Sequence, residues 1–300
     1  MERKHNPELL RDALFRRCKQ FWAAGLLGKA SVFAVGAVVV LYPSHGKAFA
    51  ITALLLGICS EAAIWYSDRW KSRADSWQRK LDFENSLGWR IGNAELVDAL
   101  ARYSGSLEAL LADPKGSYFA STESPGPQRA LENVRESSWW SMNLAEVMGW
   151  FFVVLIAAII VGCVLLLNVS IESVLPAAVN PAVNPEVTPK SIEVVSAGVV
   201  KIVTSSLLFI LSYGLLRFAV GYFRFSAKAE SVKEKAESLL ASGKSDEIQA
   251  IKLWQDYHLA RAAAPLIPNW AWRLREKKLN ALWRNYMCEA TGTSASVAEK

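Results

Sequence analysis

One uninterrupted apolar segment limits what this chain can fold into. The 21 residues of Val147–Leu167 (VMGWFFVVLIAAIIVGCVLLL) contain no charged side chain. As an α-helix rising about 1.5 Å per residue, they span roughly 30 Å, the thickness of the hydrocarbon core of a bilayer. A helix on the surface of a soluble protein needs a polar face, and this segment has none. The segment therefore predicts a transmembrane helix.

Tryptophans flank this segment. Trp139 and Trp140 precede it, and Trp150 lies just inside it. An indole ring is apolar apart from its N–H group, so it is favoured among lipid headgroups. We expect these rings to form part of an aromatic belt at the membrane boundary.

Three further segments are apolar enough to span a bilayer, which makes four spans in two hairpins. The first two, about residues 23–42 and 47–66, are joined by a turn at Pro43–Gly46. The fourth covers about residues 192–222 and follows the third after an extended, proline-rich loop, residues 168–191. The predicted fold class is an all-α integral membrane protein with two transmembrane helical hairpins and cytosolic helical extensions.

The rest of the chain is polar, and it gives the domain organisation. The predicted parts are a basic N-terminal segment 1–22, hairpin one 23–66, a cytosolic helical region 67–146, hairpin two 147–222, cytosolic C-terminal helices 223–290 and a disordered tail 291–300.

Local signals predict where the polar helices begin and end. The first cytosolic helix should break near Gly88 and Gly92, and Asn93 should cap a helix over residues 94–103. A weaker helix is expected near residues 107–112. Further along, Gly243 should end a helix that continues out of the fourth span. The next helix should start at Ser245–Glu247, and Pro265–Pro268 should separate it from a last helix, residues 270–288, capped by Asn269.

The distribution of basic residues predicts orientation. The N-terminal segment holds 6 Lys and Arg, the central region 10 and the chain from Arg217 onward 14, so 30 of the 34 lie on one side of a four-span topology. Basic residues stay on the cytoplasmic side of a membrane. We expect a multi-pass protein of the bacterial inner membrane with both termini in the cytoplasm.

Three charged residues within the predicted spans, Lys29, Glu61 and Lys201, bear on how the spans pack. Lys29 and Glu61 are each 16 residues from a turn near His45, so they should lie at the same depth and either pair or extend separately to the cytoplasmic interface. Lys201 either contacts other helices or a water path, or lies near the outer interface beside Glu193. Gly198, Ser205, Ser212 and Ala219 recur every seven residues and predict a helix-packing stripe on the same face as Lys201. Such a stripe is compatible with a homo-oligomer.

The sequence shows no pattern of a catalytic or metal site. The four cysteines and three histidines are scattered, with no Cys-x-x-Cys spacing, and there is no Gly-rich phosphate loop or nucleophile elbow. We expect no enzyme activity, no metal and no cofactor.

Two segments resemble a known family. Arg129–Trp140 (RALENVRESSWW) resembles the paired-tryptophan segment before the third span of the SMODS-associated four-transmembrane effectors. Trp254–Tyr257 (WQDY), followed by Arg261 and Pro265–Trp270 (PLIPNW), is similar to the C-terminal signature of that family. The two motifs cover about 30 residues, and the layout of two hairpins around a cytosolic region extends the resemblance over most of the chain.

The resemblance implies antiphage defence by cyclic-oligonucleotide signalling, in which a partner nucleotidyltransferase makes the messenger and a pore-forming membrane effector responds. A site for such a ligand needs cations for phosphates and rings for bases. The candidate residues are Arg261, Trp270, Trp272, Arg273, Arg275 and Lys277. The alternatives are a basic helix lying against anionic headgroups and, for the whole protein, a non-conducting scaffold whose cytosolic helices dock a partner protein. The expected partners are the lipid bilayer, copies of this chain and a cyclic oligonucleotide, with no DNA or RNA polymer.

Overall fold

Helices make up all the regular structure in the described part of the chain. The computed structural model describes residues 6–41, 46–103, 119–179, 214–243 and 246–291, together with residues 105, 110, 111 and 203. Its helices are α1 (Pro7–Leu41), α2 (Gly46–Leu87), α3 (Asn93–Ala101), α4 (Pro127–Val179), α5 (Leu215–Ala241), α6 (Glu247–Ala263) and α7 (Asn269–Thr291). The all-α part of the predicted fold class is confirmed.

Two of these helices are long and apolar enough to cross a membrane. They are the segments Lys47–Leu87 of α2 and Pro127–Leu165 of α4. Their most apolar windows are 6% and 22% buried within the protein, so most of that apolar surface is exposed. The core helix of a soluble protein would instead bury such a surface. By length and composition, the described residues therefore contain two candidate spans.

The chain divides into two compact units. The first comprises Met1–Leu9, Asp75–Gly149 and Gly221–Lys300, and we call it the Trp254 unit after its largest fully buried side chain. The second comprises Leu10–Ala74 and Trp150–Val220, and we call it the apolar unit.

Helices α2, α4, α5 and α6 supply the core of the Trp254 unit. Its fully buried side chains recur every three or four residues along each helix, because only one face of each helix points inward. They include Leu131 and Val134 of α4, Val232 of α5 and Trp254 of α6. Burying side chains of this size stabilises the unit by about 1.5–3 kcal/mol each.

The apolar unit holds the pair α1 and α2 in close contact. Ser60 Oγ donates a hydrogen bond of 2.7 Å to the carbonyl oxygen of Gly25, and Ser67 Oγ donates one of 3.0 Å to that of Cys18. A Cβ atom on Gly25 would lie 2.5 Å from Ile64 Cγ1. Small residues at these positions let the two backbones approach, as in membrane helix pairs.

Several predicted helix ends are confirmed. Gly88 and Gly243 follow the ends of α2 and α5 with φ of 76° and 65°, which glycine adopts without a Cβ penalty. Residues 264–268 separate α6 from α7, as the two prolines predicted.

Two predicted caps differ from the structure. Gly92, with extended backbone, is the N-cap of α3, and Asn93 is its first helical residue. Asn93 therefore cannot cap the helix as expected, and no side chain does so. Asn269 is likewise the first helical residue of α7 and not the residue before it. The start predicted at Ser245–Glu247 is confirmed, because Asp246 caps α6 and its side chain accepts a hydrogen bond from the amide of Ile248 at 3.4 Å.

The segment after the predicted third span remains helical for longer than expected. Helix α4 continues to Val179, so residues 168–179 are helical and not extended. The run from Asn168 to Leu175 contains no proline, and its amides can therefore continue the helical hydrogen bonds up to Pro176.

The backbone at Gly214 differs from the helix predicted for the fourth span. Gly214 has a φ of 73°, which is outside the α-helical region, and α5 begins at Leu215. The carbonyl oxygen of Gly214 accepts the first helical hydrogen bond from the amide of Phe218 at 2.9 Å. The expectation of one helix from residue 192 through 222 is therefore wrong at this position. The predicted turn at Pro43–His45, the weak helix near 107–112, most of the fourth span and the tail lie outside the described residues.

Candidate functional site

The two segments that carry the family resemblance contact each other inside the Trp254 unit. Trp254 Nε1 of α6 donates a hydrogen bond of 3.1 Å to the carbonyl oxygen of Ala130 on α4. The hydroxyl of Tyr257, one turn later, donates to the carbonyl oxygen of Ser137 at 3.3 Å and lies 2.7 Å from Ser141 Oγ. Because these partners are buried or half-buried, the WQDY residues hold α6 on α4.

A group of polar side chains lies beside Trp254. Asp82 of α2 is 1% exposed and accepts a hydrogen bond of 2.7 Å from Gln78 Nε2. Its other oxygen lies 3.5 Å from Nε2 of His258, and the imidazole stacks on Trp254 with ring centroids 5.1 Å apart. Near the same helices, Arg261 Nε lies 3.6 Å from Asp75 Oδ1.

The charge state of this group follows from burial. Burial, together with the smaller effect of the positive charges of Arg261 and Arg79, lowers the pKa of His258 to about 3. The imidazole is therefore neutral at ordinary pH, and its contact with Asp82 is a polar contact and not an ion pair. The arrangement is suited to holding α2 and α6 together, because a neutral ring can be buried at low cost.

A chain of aromatic contacts joins α4 to α7. Trp140 lies 4.8 Å from Trp272 and 5.2 Å from Trp139, measured between ring centroids. Trp139 in turn lies 5.1 Å from Trp283, which lies 5.2 Å from Tyr286. The paired tryptophans therefore pack on α7, whereas the sequence favoured a headgroup belt. Of the three tryptophans that flank the apolar segment, Trp150 alone is largely exposed, with 57% of its surface open.

Two cations contact Tyr286, the last ring of this aromatic chain. The guanidinium of Arg135 lies 5.6 Å from the ring centre of Tyr286, and Lys233 Nζ lies 5.9 Å from it. The hydroxyl of Tyr286 donates a hydrogen bond to Glu237. Burial, followed by this hydrogen bond, raises the pKa of Tyr286 to about 12. The tyrosine thus links α7 to α4 and α5 as a neutral donor.

Sequence reasoning did not single out Arg135, Trp283 or Tyr286. The sequence indicated only which face of α7 is buried. Ala271, Leu279 and Trp283 lie on that face, at intervals of eight and four residues. The partners on α4, Trp139 and Arg135, lie more than a hundred residues earlier in the chain. Those on α5, Lys233 and Glu237, lie about fifty residues before Tyr286.

The predicted ligand residues occupy different surroundings. Arg261 is on α6 beside Asp75, and Trp272 is against Trp140. Arg275 is half-buried. The remaining three, Trp270, Arg273 and Lys277, lie on the outer face of α7, where Arg273 and Lys277 are exposed and Trp270 is 46% exposed. Cations and a ring for a phosphate-bearing ligand are therefore present on that outer face.

The other predicted residues lie in the apolar unit. Lys29 Nζ and Glu61 Oε1 form an ion pair of 2.7 Å, in which the Glu61 side chain is 67% exposed. Of the small-residue stripe, Ala219 is 2% exposed, while Gly198, Lys201, Ser205 and Ser212 lie outside the described residues. Among the described residues, no group of three or more His, Cys, Asp or Glu could hold a metal ion.

The chain matches no protein-family model, no curated protein and no solved structure. The fold and the site are those of a helical protein whose described residues contain two candidate membrane spans and a polar unit built around Trp254.

Proposed function

We propose that this chain is a four-span protein of the bacterial inner membrane with both termini in the cytoplasm. The exposed apolar segments of α2 and α4 support insertion, because water would otherwise contact a surface suited to lipid. The asymmetric distribution of basic residues supports the orientation. A reporter fused at Lys300 should then read as cytoplasmic, and one inserted near Asn184 as periplasmic. The reverse pair of readings would contradict the arrangement.

Its proposed activity is membrane disruption or pore formation under the control of a cyclic nucleotide made by a partner nucleotidyltransferase. One observation carries this proposal. Helices α2, α4 and α5 each contain a segment of the apolar unit and a segment packed in the Trp254 unit. A packed helix transmits a displacement along its axis, so a ligand that alters the Trp254 unit has a direct mechanical route to the spans.

Nucleotide recognition is the finer part of the proposal. Arg261, Trp270, Trp272, Arg273, Arg275 and Lys277 remain its candidate residues. Phosphates require fixed cations, and bases stack on rings. Only a differential affinity for two arrangements of the Trp254 unit would let such a ligand act on the membrane.

A pore also requires several copies of the chain, since four helices enclose too little space. We therefore propose a homo-oligomer in which the stripe Gly198, Ser205, Ser212 and Ala219 packs between helices. Ser205→Leu or Ser212→Leu should weaken assembly without preventing insertion, because leucine is favoured in lipid. Unchanged oligomer size in detergent for both variants would remove the stripe as an interface.

The decisive experiment is dye release from liposomes containing the purified full-length chain. Each cyclic di- and trinucleotide of a panel is added in turn, and linear dinucleotides serve as controls. Release with one cyclic compound and none with its linear form is the expected result. No release with any compound, from a protein that is inserted and oligomeric, would contradict the proposal.

A specific observation favours the scaffold alternative. Ile248 and Leu259 on the outer face of α6 are 61% and 69% exposed, which is the kind of surface that a partner protein covers. A protein partner captured through α6, in a chain that releases no dye, would support this alternative.

A further inference from the structure

The outer face of α7 combines apolar and basic side chains at helical spacing. Trp270, Arg273, Leu274 and Lys277 follow one another at positions i, i+3, i+4 and i+7, and they therefore share one face. Leu274 is 70% exposed. Between Asn269 and Tyr286, α7 carries five basic residues and one acidic residue, Glu276, so the helix is strongly positive. This combination is typical of a helix at the surface of an anionic membrane.

The start of α7 lies beside the residues that end the proposed spans. The hydroxyl of Tyr222, the last residue of the fourth span, donates a hydrogen bond to the carbonyl oxygen of Leu266. A Cβ atom on Gly221 would lie 3.0 Å from the ring of Pro265. These contacts place the segment between α6 and α7 beside the residue at which the proposed fourth span ends.

The other end of α7 lies further from that boundary. Tyr286 contacts Glu237, which follows Tyr222 by 15 residues of helix, or about 22 Å. It also contacts Arg135, which precedes Val147 by 12 residues, or about 18 Å. Trp272, near the start of α7, contacts Trp140, only about 10 Å before the same span. The C-terminal part of α7 therefore lies further than its start from the residues at which the proposed spans end.

We propose that the first two turns of α7 lie on the anionic surface of the bilayer, with Trp270 and Leu274 among the headgroups and Arg273 and Lys277 bound to lipid phosphates. The proposal rests on the membrane insertion proposed above. An indole at this depth keeps its N–H group in the polar region while its ring contacts lipid. Each cation near such a surface strengthens the contact about fivefold. Trp270, Arg273 and Lys277 are thereby assigned to lipid and leave the nucleotide candidates, of which Arg261, Trp272 and Arg275 remain.

Arg284 provides a matched control. It carries the same charge as Arg273 and lies on the same face of α7 as Trp270. It follows Trp270 by 14 residues of helix, or about 21 Å. Its side chain is exposed and donates to the carbonyl oxygen of Asn280 in its own helix. Arg284→Ala therefore removes one exposed charge of the same helix at a position beyond the reach of the headgroups.

The experiment measures hydrogen exchange of the full-length chain in lipid nanodiscs. One set of discs contains phosphatidylcholine alone, and the other contains an equal mixture with phosphatidylglycerol. Exchange over residues 269–277 should be slower in the anionic discs, by about fivefold for each bound cation. Arg273→Ala with Lys277→Ala should abolish that difference, while Arg284→Ala should leave it unchanged.

Three results would overturn the proposal. The first is equal exchange in both discs, and the second is a loss of protection in Arg284→Ala as large as that in the double variant. The third is slower exchange on adding a cyclic nucleotide to phosphatidylcholine discs without any effect of phosphatidylglycerol, which would assign the face to the nucleotide. Failure of membrane insertion appears separately, as a chain that does not enter discs, and failure of the effector activity appears as an absence of dye release.

Discussion

Trp272 of α7 packs against Trp140 of α4 with ring centroids 4.8 Å apart and planes inclined by 38°. The two residues are separated by more than 130 positions in the chain. This contact connects α4 with the basic helix α7. The adjacent tryptophans, which the sequence favoured as a membrane-boundary signal, therefore pack against another helix.

Removing this contact should destabilise the Trp254 unit. Trp272→Ala loses an aromatic pair and part of its buried area, so the free energy of unfolding should fall by about 1–2 kcal/mol. Leu274→Ala is the control, because Leu274 is 70% exposed on the same helix and should change little. Thermal unfolding in detergent measures both. Equal Tm values for the two variants would show that the ring contact contributes no stability.

Acid should destabilise the fold through His258. Its pKa is lowered to about 3 in the fold, against 6.5 for an ordinary histidine, so below pH 6.5 the unfolded chain binds a proton that the folded chain does not. Stability is therefore lost as pH falls from 6.5 towards 3, by about 1.4 kcal/mol per pH unit from this residue. His258→Gln should remove this part of the slope in unfolding measured across that range. An unchanged slope would show that other groups cause it.

Close packing of α1 on α2 should depend on Gly25 and not on Gly57. A Cβ on Gly25 meets Ile64 Cγ1 at 2.5 Å and the carbonyl oxygen of Ser60 at 3.2 Å, whereas a Cβ on Gly57 meets nothing within 4 Å. Gly25→Ala should therefore cost about 1–3 kcal/mol by overpacking. Gly57→Ala should be neutral or slightly stabilising, because alanine favours the helix. Thermal unfolding of both variants in detergent distinguishes the two sites, and a Gly25→Ala variant as stable as Gly57→Ala would disprove the tight contact.

The Lys29–Glu61 pair should behave as a unit. Lys29→Glu or Glu61→Lys alone replaces an ion pair of 2.7 Å with two like charges in an apolar segment, so we expect less protein in the membrane fraction. The double variant Lys29→Glu with Glu61→Lys reverses the pair and should restore the wild-type amount. If both single variants insert normally, each side chain reaches the aqueous interface separately, and the pair contributes nothing to insertion.

The sequence alone determined several helix ends and the equal distance of Lys29 and Glu61 from a turn, whereas the structure shows that the two side chains pair. Gly88, Gly243 and the prolines at 265 and 268 act on their own backbone, since a positive φ or a missing amide is a property of one residue and its neighbours. Lys29 and Glu61 were candidates for a pair because they are equally far from a predicted tight turn. Residues equally far from such a turn lie side by side in the two helices. The length of Val147–Leu167 likewise limits the segment to a buried or membrane-spanning helix.

Only the tertiary structure decided which side chains the tryptophans and arginines meet. Trp139 and Trp140 have the composition of a headgroup belt, yet their rings find Trp283 and Trp272 on a helix far along the chain. Arg261 was grouped with the cations of α7 and instead lies beside Asp75 of α2. Periodicity identifies the inner face of a helix, but the partner of that face depends on how distant helices pack, and that information is absent from any local stretch of sequence.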